Sequence, residues 1–433
     1  MQGVGSRKGN GIVCLVVFPT AYSLLPTSYS LPVPSLDEQL LADLSERDAA
    51  SLRRRLSAVP SGGRLIRVGG RDLLNLSGND YLALSDHPRL KAAAIDAIER
   101  SGTGSGSSRL VTGTLEWHEK VEAEFAVFKH APAALILPTG YMANLAVLTA
   151  LARRGDLICI DKLCHASLID AAYASGATVR VYPHGDMGKL ERLLSRANLR
   201  HENTPLSTPH APRRFIVTDS VFSMDGDAAD LPALCDLAQC YDATTIVDEA
   251  HGTGVLGDGG TGLCEAQGVT ERVDVVVSTA SKALGGLGGI VTASQAVIDT
   301  LVNRARSLIY TTAVPPAQVA AIGEAVRVVR DEPWRRQRLA ELAERLSVAL
   351  SDTGLLPPAK TQGINRVTPI FPLMTGTSQA ALTLAQRLRE QGVMAVAIRP
   401  PTVPKGAARV RLSLRADLTD DDLARVIAAI RQG

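Results

Sequence analysis

The spacing of apolar positions changes several times along the chain. From Leu36 to Leu56, "LDEQLLADLSERDAASLRRRL", apolar residues recur every three or four positions, with acids early and arginines late, which predicts a helix. "RLIRV" and "DLLNLS" flank Gly69-Gly70 and predict a hairpin. Between about 76 and 310, short runs rich in Val and Ile alternate with helical stretches. The runs are "AALIL" (133–137), "DLICI" (156–160), "RFIVTD" (214–219), "ATTIVDE" (243–249), "VDVVVST" (273–279) and "GGIVTA" (288–293). Continuous apolar strands separated by helices predict a mostly parallel sheet covered on both faces, an α/β fold. A polar stretch over 198–213 predicts an exposed loop. After "TTAVPP" (311–316) one long helix is expected over roughly 316–352. "NRVTPIFPL", "SQAALTLAQRLREQGV", "AVAIRPP" and "ARVRLSL" then alternate strand and helix, as a smaller α+β domain would. The expected divisions are an extension (1–35), a helix and hairpin segment (36–75), a large domain (76–315) and a small C-terminal domain (316–433).

Composition narrows the class. A chain of 433 residues is long enough for a large core and a smaller one. A net charge of +2 and 4% aromatic residues leave no electrostatic or stacking footprint for nucleic acid. No run of about 18 apolar residues is present, so no membrane span is expected. The six cysteines form no C-x-x-C, and no histidine pair has zinc-finger spacing. No metal site and the reduced thiols of a cytoplasmic enzyme are expected. Residues 1–36 hold no acid and only Arg7 and Lys8 as bases, with an apolar stretch "GIVCLVVF" (11–18). They read as a tail, a misassigned start or a targeting segment.

In a parallel sheet, ligands bind outside the carboxyl ends of the strands. "TIVDEAHGTG" puts Asp248 and His251 at one such end, and "VVVSTASKALGG" puts Ser278, Thr279, Ser281 and Lys282 at the next. A buried aspartate needs a cationic partner, such as a protonated pyridine nitrogen, or else caps a turn. A shielded lysine among glycines can lose its proton and bond an aldehyde, or else anchors its loop by a salt bridge. The glycines would let the backbone crowd a bound group. "LILPTGYMANLA" gives a helix N-terminus at Thr139, Gly140 and Tyr141, whose free amides favour phosphate. His165 follows a strand in "IDKLCHASLID" and either supports the fold or stacks on a planar ring. "DSVFSMDGD" brings Asp219, Ser223 and Asp225 near another strand end. Phosphate site, ring stacker, pyridinium partner and aldehyde-binding lysine together describe a pyridoxal 5'-phosphate (PLP) site. "SGTGSGSS" (101–108) is not a nucleotide loop. It lacks the G-x-x-x-x-G-K-[ST] lysine and follows the helical "AAIDAIER" rather than a strand.

Seven segments carry a resemblance to a known family: "LSGNDYLALSDHP" (76–88), "GTGSGSSRLVTGT" (102–114), "HASLIDA" (165–171), "DSVFSMDGD" (219–227), "VDEAHGTGVLG" (247–257), "STASKALGG" (278–286) and "IRPPTVPKGAARVRLSL" (398–414). From about 36 to 433 the chain resembles the α-oxoamine synthases, PLP-dependent enzymes of the aspartate-aminotransferase fold. "IRPPTVP" and "SLRRRL" (51–56) look most like the biotin-pathway member, which condenses L-alanine with a pimeloyl thioester, carried on coenzyme A or a carrier protein, and loses CO2. Glycine-using sisters, 2-amino-3-ketobutyrate ligase and 5-aminolevulinate synthase, are the alternative, and a non-catalytic scaffold is a remote one. The resemblance implies that Lys282 bonds the cofactor and moves protons, Asp248 pairs with the pyridine nitrogen, His165 stacks on the ring and His251 hydrogen-bonds the phenolic oxygen. It implies that Ser223, Thr279, Gly140 and Tyr141 help hold cofactor and phosphate. Arg53, Asn79 and Thr402 would meet substrate, and Arg399 the amino-acid carboxylate. A homodimer is implied, with Thr312 reaching the phosphate of the partner subunit. Two positions depart from the family: Asp219 stands where glutamate is common, and Ala83 where glycine is usual.

Overall fold

The computed structural model describes residues 34–56, 58–60, 62–201, 211–357 and 368–432. The expectations for residues 1–33 and for the middle of the polar stretch at 198–213 lie outside them. Contacts divide the chain into residues 1–53 and 54–433.

In the first unit the helix runs Leu36–Ala49, and a reciprocal cap between Ser35 and Glu38 starts it. It is shorter than the periodicity predicted. Ser51 adopts φ +56°, a left-handed turn that a continuing helix excludes, so Arg53 follows in irregular chain and pairs with Asp48 at 2.6 Å.

In the second unit the predicted hairpin forms from β1 (Leu65–Val68) and β2 (Arg71–Asn75), turning through Gly69 and Gly70, both at positive φ. Seven strands then build the main sheet: β3 (Ala133–Leu137), β4 (Leu157–Asp161), β5 (Thr178–Tyr182), β6 (Arg214–Asp219), β7 (Ala243–Asp248), β8 (Val275–Thr279) and β9 (Gly289–Ala293). Their order is β3-β9-β8-β7-β6-β4-β5. Every neighbouring pair from β8 to β5 is parallel, and β9 alone runs against both its neighbours. Every residue of β3, β4, β8 and β9 is buried, as unbroken apolar runs require when both faces are covered.

The helix expected over 316–352 is two helices, Pro316–Asp331 and Trp334–Leu350. Pro333 lies between them. Its missing N–H and its ring cannot continue the first helix, and the apolar period simply resumes beyond it. The C-terminal strands are β10 (Ile370–Gly376), β11 (Val393–Met394), β12 (Val396–Ile398) and β13 (Ala408–Ser413). β10, β13 and β12 form an antiparallel sheet, while β11 pairs in parallel with β2 of the early hairpin. Residues 65–75 thus share a sheet with the C-terminal part. Ala83, one of the two positions that depart from the family resemblance, adopts φ +57°, the left-handed backbone that glycine adopts most readily. Among the described residues no helix is long and apolar enough to cross a membrane.

Candidate active site

Parallel register sets the site. Asp219 ends β6, and its neighbour across the ladder is Asp248, which ends β7. Thr279 ends β8 beside them, and Lys282 lies in the turn that leads back into β9. The helix Gly140–Leu151 starts above the same edge, with Thr139 capping the amide of Met142 at 3.1 Å. These ends enclose a cavity of about 240 Å³, lined among others by Gly140, His165, Asp219, Asp248, His251 and Lys282.

The turn 280–288 is held at both ends. The amide of Ala280 donates to the carbonyl of Gly288 at 2.9 Å, and that of Gly286 to Ala280 at 2.8 Å. Gly285 within this turn makes room for protein backbone, as does Gly289 just beyond it. A Cβ on Gly285, at φ +65°, would lie 2.5 Å from the backbone of Leu84 and Ser85, and one on Gly289 would lie 2.3 Å from the carbonyl oxygen of Thr139. The amine of Lys282 forms no hydrogen bond or ion pair among the described residues. Burial pushes its pKa down, and Arg411 adds to this, while Asp248 and Asp219 oppose it.

Asp248 is buried and doubly held. Asn144 Nδ2 donates to Oδ2 at 2.7 Å, and the amide of Ala250 donates to Oδ1 at 2.8 Å. Asp219 accepts from the amide of His165 at 3.1 Å, so the shorter acid still reaches across. Burial and the charge of Asp248 push the Asp219 carboxyl well above the usual range. His251 is buried, and its pKa is driven well below normal by burial and by the charges of Lys282 and Arg411. Its Nδ1 meets the hydroxyl of Tyr81 at 2.7 Å. His165 stands at the cavity wall and caps the helix Ala166–Ala174. Tyr141 lines the cavity but gives its hydroxyl to the Asp170 carboxylate.

Not every expected residue reaches this cavity. Ser223 sits in the turn beyond Val221, and Thr312 bridges to Ser108 on the surface. Arg399 and Thr402 lie outside the lining, and Thr402 accepts from Arg54 at 2.8 Å. Asn79 stands behind the wall, where its Oδ1 accepts from Arg411 at 3.0 Å. Arg411 was not singled out in the sequence. It is buried, donates to the Tyr81 hydroxyl at 3.1 Å and has no acidic partner among the described residues, and its Nε has no hydrogen-bond partner. Asn144, Ser167 and Tyr81 were also missed. The signal for Tyr81 and Arg411 lay in "NDYLALS", quoted for resemblance, and in "ARVRLSL", quoted as a strand and for resemblance.

PLP fits this donor set. The first amides of the helix Gly140–Leu151 and the hydroxyls of Thr279 and Ser281 suit a phosphate. A buried carboxylate suits a protonated ring nitrogen, and an unpaired amine suits an aldehyde. A Cβ on Gly140 would stand 3.4 Å from Thr279, in van der Waals contact, so the helix start and the end of β8 adjoin.

Comparison with known proteins agrees. The aminotransferase class I and II family matches residues 71–430. An 8-amino-7-oxononanoate synthase from Geobacter sulfurreducens is 43% identical over 398 residues, covering 91% of this chain and 97% of that one. A solved structure of SPT with PLP superposes with a TM-score of 0.81 at 27% identity, covering 91% of this chain and 96% of that one. The 8-amino-7-oxononanoate synthase structure from Francisella tularensis gives 0.69 at 28% identity, over 83% and 97%. The chain belongs to the aminotransferase class I and II family, among its PLP-dependent 8-amino-7-oxononanoate synthases.

Proposed function

We propose that this chain condenses L-alanine with a pimeloyl thioester, releasing CO2 and free thiol and giving 8-amino-7-oxononanoate for biotin synthesis. The observation that carries the reading is one cavity shared by an unpaired lysine amine, a buried and doubly held aspartate and a helix N-terminus, in a chain 43% identical to a named synthase. The thiol carrier is coenzyme A or an acyl carrier protein. The working enzyme is a cytoplasmic homodimer in which Thr312 meets the partner's cofactor phosphate. Its large domain ends near residue 315.

Bound PLP supplies an aldehyde for the amine and a ring that accepts the electron pair left on the α-carbon when a bond there breaks. Gly140, Tyr141 and Thr279 would hold it, Asp248 would keep a proton on its ring nitrogen, and His165 would stack on the ring. His251, neutral at working pH, offers one ring nitrogen inward while the other meets Tyr81. Lys282 Nζ takes the α-proton and later returns it. Its lowered pKa favours the neutral amine this requires. Arg411 is the better anchor for the alanine carboxylate than Arg399, because a buried guanidinium without an acid needs an anion. Asn79 orients Arg411. Arg399 and Thr402 are then left for the acyl chain and its far carboxylate.

The test is a titration of the PLP-loaded protein with L-alanine and with glycine, followed by thiol release from pimeloyl-CoA. Alanine should perturb the visible band at lower concentration, and pimeloyl-CoA should release thiol. A response to glycine alone, with release from acetyl- or succinyl-CoA, would move the chain to a sister activity. No visible band after adding PLP would overturn the whole reading. In the same assay Arg411→Lys should raise the alanine KM about tenfold, because a point charge replaces a bidentate fork. That effect appearing in Arg399→Lys instead would return the carboxylate to Arg399.

A further inference from the structure

Two donors converge on Nδ1 of His165. The backbone amide of Ser167 lies at 3.3 Å and the Ser167 hydroxyl at 2.7 Å. A ring nitrogen that accepts an amide N–H carries no proton itself. The Ser167 hydroxyl in turn receives a hydrogen from Asn144 Nδ2 at 2.8 Å, which leaves its own hydrogen for the imidazole. The second hydrogen of Asn144 Nδ2 goes to Asp248 Oδ2 at 2.7 Å. Flipping the Asn144 amide would set its oxygen against the carboxylate, so this orientation is the one that pairs donor with acceptor. Asn144 and Ser167 are each only 1% exposed and both border the cavity.

We propose that Ser167 and Asn144 are positioning residues that lock His165 as the Nε2–H tautomer and tie its ring to Asp248. The direction of every hydrogen in the path Asp248–Asn144–Ser167–His165 follows from counting donors. His165 then presents an N–H where it is not bonded to Ser167, and it cannot serve as a base there. Proton removal falls to Lys282. Only this catalytic consequence rests on the cavity being the PLP site. The tautomer belongs to the protein itself.

Burial lowers the His165 pKa. Asp248 and Asp170 oppose this, Lys282 adds to it, and the Asp219 carboxylate sits on the His165 amide. The Ser167 hydroxyl bonds the neutral ring and so works in the lowering direction. Removing it should raise the pKa.

The test is nitrogen NMR of the full-length protein labelled at histidine, with and without PLP, across a pH series. His165→Gln identifies the His165 signals among those of the eight histidines. The wild type should show a bare Nδ1 and a protonated Nε2 above the midpoint. Ser167→Ala keeps the backbone amide donor, so it should weaken the tautomer preference and raise the midpoint by about half a unit or more, and Ser167→Thr should restore the midpoint. A wild type protonated at Nδ1 overturns the proposal, whether or not any variant folds. So does a Ser167→Ala protein with the wild-type midpoint. Failure of the PLP-treated protein to develop a visible band would sink the cofactor reading instead, and the tautomer result without PLP would stand apart from it.

Discussion

Lys282→Ala is expected to lower kcat by about 10⁴-fold or more while leaving the fold intact. Two roles end together: the amine that bonds the cofactor aldehyde and the base that takes the α-proton. Positioned acid–base groups alone contribute about 10²–10⁴-fold, and loss of covalent capture adds to that. The side chain makes no hydrogen bond or ion pair among the described residues, so its removal breaks none of the contacts that fix the turn 280–288. Thermal midpoint and far-UV circular dichroism should match the wild type, and single-turnover thiol release should be nearly absent. In the wild type the rate should climb with pH until the lysine is neutral. Because burial lowers the lysine pKa, that climb should end below the range of a free amine, and the Lys282→Ala residue of activity should lack it. A variant retaining a tenth of wild-type turnover would remove Lys282 from the mechanism.

Asp248→Asn is expected to cost about 10³-fold in kcat. Asparagine keeps the shape but has a single acceptor oxygen, so it keeps only one of the two contacts, which come from Asn144 Nδ2 and from the amide of Ala250 to different oxygens. It also loses the charge that holds a proton on the ring nitrogen, and preorganised electrostatic contacts are worth about 10²–10³-fold each. The neighbouring Asp219 does not replace that charge, because it is engaged by the amide of His165 and burial opposes its ionisation even without the Asp248 charge. The measurement is loss of deuterium from α-deuterated alanine, which isolates proton removal from acyl transfer. Exchange at the wild-type rate would show that the carboxylate serves binding only.

The sheet and its reactive edge were legible because strand ends are local features. Val/Ile runs mark the strands, and the residue that ends each run lies at the shared edge once the strands are parallel, as Asp219 and Asp248 do. The helix N-terminus at Gly140 was legible for the same reason. The hydrogen-bonded surroundings were not. Tyr81 meets His251 from 170 positions away, and Asn144 meets Asp248 from 104, so no short pattern contains either pair. Arg411 looks like any arginine of an alternating strand until burial shows it without an acid. Pro333 was visible in the sequence, yet an apolar period that resumes beyond it disguised two helices as one.

The single reversed strand has a consequence for what the chain can tolerate. Because β9 returns beside β8, the connection bearing Lys282 is a short hairpin clasped at Ala280, Gly286 and Gly288, whereas the other reactive edges lead into helical crossovers. The amine therefore rides on a segment with almost no slack in length. An inserted residue there would shift Lys282 around the turn and spoil the clasp. Natural and engineered length variation should therefore be absent from 280–288, and a library of single-residue insertions there, scored for growth without biotin, would read that intolerance directly.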